Sequence, residues 1–112
     1  MNKRIEGIKG EILAKNFLKQ NRYKILESNY TTPVGEIDLI VQKKNLIVFV
    51  EVKERTSINF GFPREAVTPH KQNKIKQVAT IYLKYNNLMQ NEIRFDVVEI
   101  LNDKIEHIQN AF

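Results

Sequence analysis

The sequence predicts an α/β domain on a mixed sheet, with elements in the order α-β-β-β-α-β-β. Three observations carry this. Two segments place apolar residues at helical spacing, and five short runs rich in β-branched and aromatic residues are bounded by turn signals. The length, 112 residues, allows one well-buried core and is too short for two, so residues 1–112 are expected to form a single domain.

Each element follows from its residues. Residues 4–19 read as a helix, with Ile5, Ile8 and Ile12 on one stripe and Gly7, Glu11, Ala14 and Leu18 on another face. Gly7, Gly10 and Ala14 are small enough for close approach to a neighbour. "YKILESNY" (23–30) reads as a strand running into a turn at "TTPVG". Residues 36–42 and 46–53 form a hairpin around "KKN". The irregular stretch "TSINFGFPREAV" after Arg55 is long for a small domain, and such loops often carry function. Thr68 then fits an N-cap and Pro69 the first position of a helix with the stripe Ile75, Val78, Ala79, Tyr82 and Leu83. "EIRFDVVEI" and "KIEHIQ" close the chain as strands joined by a turn at Leu101–Asp103.

Composition narrows the class. Hydrophobic content of 42% with 28% charged residues is that of an ordinary globular protein. No apolar run approaches the roughly 20 residues needed to span a bilayer, and the N-terminus lacks the apolar centre of a signal peptide. With no cysteine there is no disulfide and no thiolate metal site, and a cytoplasmic location is expected. The net charge of +5 lies entirely in residues 1–24, which hold seven basic residues and two acids. A basic helix on an otherwise balanced domain suits a polyanion such as nucleic acid, although on charge alone a solvated surface helix is the favoured reading.

The stretch "GEIDLIVQKKNLIVFVEVKER" (35–55) sets charges inside apolar strands. Burying an ion without a partner costs several kcal/mol, roughly, so Asp38, Glu51 and Lys53 need a reason. A two-residue turn at Lys44-Asn45 makes paired residue numbers sum to 89 and sets Asp38 across from Glu51, with Lys53 returning to the same face. A three-residue turn pairs Asp38 with Val50 instead. Two adjacent carboxylates repel unless a cation or proton lies between them. Mg²⁺ or Mn²⁺ suits carboxylate oxygens, a backbone carbonyl such as that of Val52, and water. A lysine beside such a site can stabilise charge in a phosphoryl transition state. A structural salt bridge from Lys53 to the two acids is the competing reading.

These segments, with "GEILAKNFL", "FGFPREAV", "K…YL", "RFDVVEI" and the terminal "NAF", resemble the PD-(D/E)xK nuclease superfamily. More narrowly, the chain resembles the YraN-like bacterial proteins of that superfamily, which are similar to Holliday-junction resolvases. The resemblance spans nearly the whole chain. It implies a restriction-endonuclease-like core, αβββαβ with an added C-terminal strand, and a metal-dependent endonuclease acting on DNA, branched or otherwise structured. It implies Asp38 and Glu51 as metal-binding acids, Glu11 as the helix-borne acid completing the site, and Lys53 as the catalytic lysine. The superfamily's proline before the first acid is replaced here by Ile37. A nucleic-acid-binding protein that keeps the fold without catalysis is one alternative, and a protein-interaction module another. A two-fold symmetric junction would suit a homodimer.

Charged residues nearby complete the expectations. Glu36 is expected to pair with Lys53 in preference to helping bind metal. Lys15, Lys19, Arg55, Arg64 and Lys71 are expected phosphate contacts, Lys71 either pointing toward the site from the second helix or serving equally as a capping or surface residue. Asp96 is expected to pair with Arg94, and His70 and His107 to lie on the surface.

Overall fold

Residues 3–55 and 67–112 are described by a computed structural model, with side chains from Lys9 onward. The elements are α1 (Lys3–Gln20), β1 (Lys24–Thr31), β2 (Glu36–Lys43), β3 (Leu46–Arg55), α2 (Pro69–Tyr85), β4 (Glu92–Leu101) and β5 (Lys104–Ile108). The expected order holds. The strands form one sheet ordered β1-β2-β3-β4-β5, antiparallel except for β3 and β4. That parallel pair follows from α2, which carries the chain back across the sheet.

Strand alternation divides the core in two. Phe49, Ile47, Ile40 and Val97 pack with α2 residues Ile75, Val78, Ala79, Tyr82 and Leu83, the stripe predicted for that helix. Val48, Val50, Leu39, Val41, Val98 and Ile100 pack on the other face with Ala14 and Leu18 of α1. Thr68 caps α2, its hydroxyl accepting from the Lys71 amide at 3.2 Å, and Pro69 takes the first turn.

α1 buries the face of small residues expected to pack closely, not the isoleucine stripe. Ile12 is 51% exposed, whereas Gly10, Ala14 and Leu18 are buried with Leu13 and Phe17 alongside; Ile5 and Ile8 lie outside the described side chains. The approach to β3 is close there: a Cβ on Gly10 would stand 2.6 Å from the flexible carboxylate end of Glu54 and 3.6 Å from its Cβ.

The hairpin turn is Lys44-Asn45, with Lys44 at φ 56°, and the pairs Lys43–Leu46, Val41–Val48 and Leu39–Val50 keep the register expected of a two-residue loop. At its open end the pleat breaks. Strict alternation would group Ile37 with Leu39 and Val41, yet Ile37 packs in the α2-side cluster, and the ladder to β3 stops at Leu39–Val50. Asp38 sits at that break.

Asp96 is fully buried and accepts from Arg94 Nε and Nη2 at 2.8 and 2.7 Å, as expected, and also from the Asn110 amide at 2.9 Å. His107 corrects its expected surface placement. Pairing of β5 with β4 brings its ring between Phe17 and Tyr23, with Nε2 2.6 Å from Asp96 Oδ2. His70 is exposed.

Candidate functional site

Alternation along β3 sends Glu51 and Lys53 to the α2 side of the sheet. The capped first turn of α2 lowers Lys71 onto them, its Nζ 2.7 Å from Glu51 Oε1. Lys53 Nζ stands 3.7 Å from the same oxygen, and the Glu51 side chain is only 7% exposed. Asp38 enters from β2. Where the ladder stops, its Oδ2 replaces a backbone carbonyl and accepts from the Val52 amide at 2.8 Å. Asp38, Glu51 and Lys53 lie in one neighbourhood with Lys71, although the expected strand pair of Asp38 with Glu51 is not formed, because the ladder ends at Leu39–Val50 and Asp38 bonds the Val52 amide instead.

Charge in this cluster is finely opposed. Burial first, and the Glu51 charge second, push the Asp38 carboxyl up to about 7, against the Val52 hydrogen bond and the Lys71 charge. Lys53 is lowered by burial and by Lys71, which outweigh attraction to Glu51 and Asp38. Lys71 is raised: burial opposes its charge, but the hydrogen bond and charge of Glu51 prevail. An acid and an amine displaced toward one another across neutral pH are typical of functional sites, though structural ion-pair networks also shift pKa values.

The remaining expected residues are distributed more widely. Glu11 accepts from Asn29 Nδ2 at 3.0 Å on both oxygens and pairs with Lys15 at 3.3 Å. It is not in contact with the acid pair, yet it is tethered at the same level, because Asn29 lies between Ser28 and Tyr30, whose partners Leu39 and Ile37 bracket Asp38. Among the described residues, no three His, Asp or Glu side chains converge as a metal-holding group. The expected Glu36–Lys53 pair is not formed; Thr31 Oγ1 donates to Glu36 at 3.4 Å and Lys53 turns to Glu51. Arg55, 10% exposed, is drawn into an ion pair with Glu99 at 3.2 Å. Lys19 is exposed in the last turn of α1, and Arg64 lies outside the described residues.

Glu99 is a buried charge that the sequence pattern did not single out. It neighbours Lys53 in the parallel register and is buried, raised by desolvation, with Oε2 lacking a hydrogen-bond partner among the described residues. The signal was present: "VVEIL" interrupts an apolar strand with a carboxylate just as "FVEVK" does.

The donor set fits a hard divalent cation. Mg²⁺ is commonly held by one or two carboxylates completed by water, and Asp38 with Glu51 supplies that number in a site where burial and the Glu51 charge outweigh the Val52 amide and Lys71 at Asp38.

Residues 10–100 match the family model described as "Uncharacterised protein family UPF0102". A UPF0102 protein of Caldanaerobacter subterraneus subsp. tengcongensis is 50% identical, covering 100% of this chain and 98% of its own. UPF0102 proteins of Clostridioides difficile and Syntrophomonas wolfei are 47% and 50% identical, each covering 100% of both chains.

Proposed function

The chain belongs to the UPF0102 family, the YraN-like proteins of the sequence resemblance, and from its charge cluster we propose that it is a metal-dependent endonuclease acting on DNA phosphodiesters. One observation supports this most: two carboxylates in a buried corner, one pushed up to about 7 by burial and by the other, beside a lysine 3.7 Å from Glu51.

Asp38 and Glu51 would hold Mg²⁺ or Mn²⁺, with the Val52 carbonyl as a third oxygen donor; Glu11, held by Asn29 and Lys15, stands out of contact with the pair, and its role as a further metal-binding acid rests on the family resemblance alone. Bound there, the metal would supply Lewis acidity and an activated water. Lys53 places an ammonium where negative charge develops on a phosphoryl oxygen, an interaction strongest in the transition state. Lys71 neutralises Glu51 until another cation takes that role, and is then available to a phosphate. Branched or structured DNA as substrate, and a homodimer to match it, stay with the family resemblance.

Cleavage of duplex, single-stranded, flap and junction DNA with Mg²⁺ and Mn²⁺ tests the reading. Lys53→Ala should lose about 10²-fold or more in rate, the scale of losing one preorganised electrostatic donor, while melting temperature and DNA affinity stay close to wild type. Full cleavage by a destabilised Lys53→Ala protein would refute the mechanism. A non-catalytic nucleic-acid-binding role is favoured by one feature, the Lys71–Glu51 contact of 2.7 Å, which satisfies Glu51 without a metal. On that reading, no substrate is cut while binding persists.

A further inference from the structure

The fold redistributes the basic charge of the N-terminal segment. Lys15 is engaged by Glu11, Lys9 faces Asp103 at 3.8 Å, and Arg55 is bound to Glu99. Unpaired cations gather instead at the hairpin-turn end of the sheet. Arg22, Lys43 and Lys44 line a shallow groove of 480 Å³ with Gln20 and Asn21, between the end of α1 and the turn. A second groove of 530 Å³ shares Lys43 and Lys44 and continues past Tyr23 and Asn45, with Glu92 the one acid among the residues lining it. None of the three cations forms an ion pair among the described residues; Lys43 Nζ rests 4.8 Å over the Tyr23 ring. Lys19 in the last turn of α1 and Lys24 at the start of β1 are likewise exposed and without an ion pair among the described residues.

We propose that this end of the sheet binds the phosphodiester backbone of a nucleic acid, as a surface separate from the acid pair. The proposal takes only the class of polyanion from the function proposed above. From Leu46 to Glu51 the strand advances about 17 Å, and the grooves lie on the α1 side whereas Glu51 and Lys53 face α2. Backbone contacts of this kind position a nucleic acid without reading its sequence. The amides of Gln20, Asn21 and Asn45 supply neutral donors beside the cations. An anionic membrane is the poorer fit: among the described residues, none of the exposed large apolar side chains, Ile12, Tyr85, Met89 and Ile93, lines either groove to insert among lipids.

The test is fluorescence anisotropy on a labelled duplex in EDTA across a salt series. Lys43→Glu with Lys44→Glu should weaken binding about tenfold or more and reduce the log–log salt slope by about two, one for each phosphate that is no longer neutralised. The charge-matched control, Lys84→Glu with Lys104→Glu, should keep the wild-type slope. In the unaltered protein, duplex DNA should protect Lys43 and Lys44 from acetylation, a readout independent of how any variant folds. Wild-type affinity in the double variant, an equal loss in the control, absence of protection, or binding of anionic vesicles in place of DNA would each overturn the proposal. Because no divalent metal is present, the outcome separates from the catalytic reading. Patch-dependent binding without cleavage under any condition sinks the nuclease alone, and cleavage that ignores Lys43 and Lys44 sinks the patch alone.

Discussion

Asp38→Asn should stabilise the metal-free protein at alkaline pH and do little at acidic pH. The carboxyl is raised from 3.8 to about 7 in the folded protein, by burial and by Glu51. Folding therefore favours the protonated acid. The stability that proton confers is complete below about pH 4 and lost as pH rises through 7. The full interval corresponds to a ceiling of about 4 kcal/mol at 1.36 kcal/mol per pH unit. Asparagine mimics the neutral acid and keeps an oxygen for the Val52 amide, but its own N–H₂ enters a half-buried site and costs about 1–3 kcal/mol if unmatched. The net gain at pH 8 should be about 2 kcal/mol, or roughly 8 °C in melting midpoint for a domain of this size. Thermal melts in EDTA at pH 5 and pH 8 measure it. Adding Mn²⁺ at pH 8 should raise wild type and leave Asp38→Asn behind, since the cation binds the ionised pair. A variant less stable than wild type at pH 8 in EDTA would show that the Asp38 carboxylate is well matched by its surroundings, and the argument for a site awaiting a cation would fail.

Two further outcomes follow from the same network reasoning. Lys71→Ala removes a cation competing for Glu51; its side chain is 42% exposed, so the pair is worth about 1 kcal/mol, and calorimetry should find Mn²⁺ binding roughly fivefold tighter, with weaker binding counting against competition. Asp96→Ala leaves Arg94 without its partner in the interior and should cost about 3–5 kcal/mol in denaturant unfolding, an unchanged midpoint being the contrary result. Burial opposes the Asp96 charge, but hydrogen bonds from His107 and Arg94 hold its pKa below 3.8, so that contribution is present above pH 3.8 and lost as acid titrates the folded carboxylate.

Much was decided by the chain's local chemistry. The α2 stripe from Ile75 to Leu83, its Thr68 cap and the hairpin register follow from periodicity, one side chain and a two-residue turn, all short-range properties. Strand alternation put Glu51 and Lys53 on one face, but Asp38 joins them where the ladder stops, through its side-chain contact with the Val52 amide, which the register alone did not give. Other features depended on contacts between distant segments. The small face of α1 was legible as a close-packing surface, but that it meets β3, with Gly10 against Glu54, is set by the tertiary structure. Which lysines remain free was equally invisible along the sequence. Lys15 and Arg55 read like Lys43 and Lys44 until folding sets Glu11 and Glu99 beside the first two and, among the described residues, no paired carboxylate beside the others. Charge is a property of residues, whereas its neutralisation is decided by neighbours that only the tertiary structure supplies.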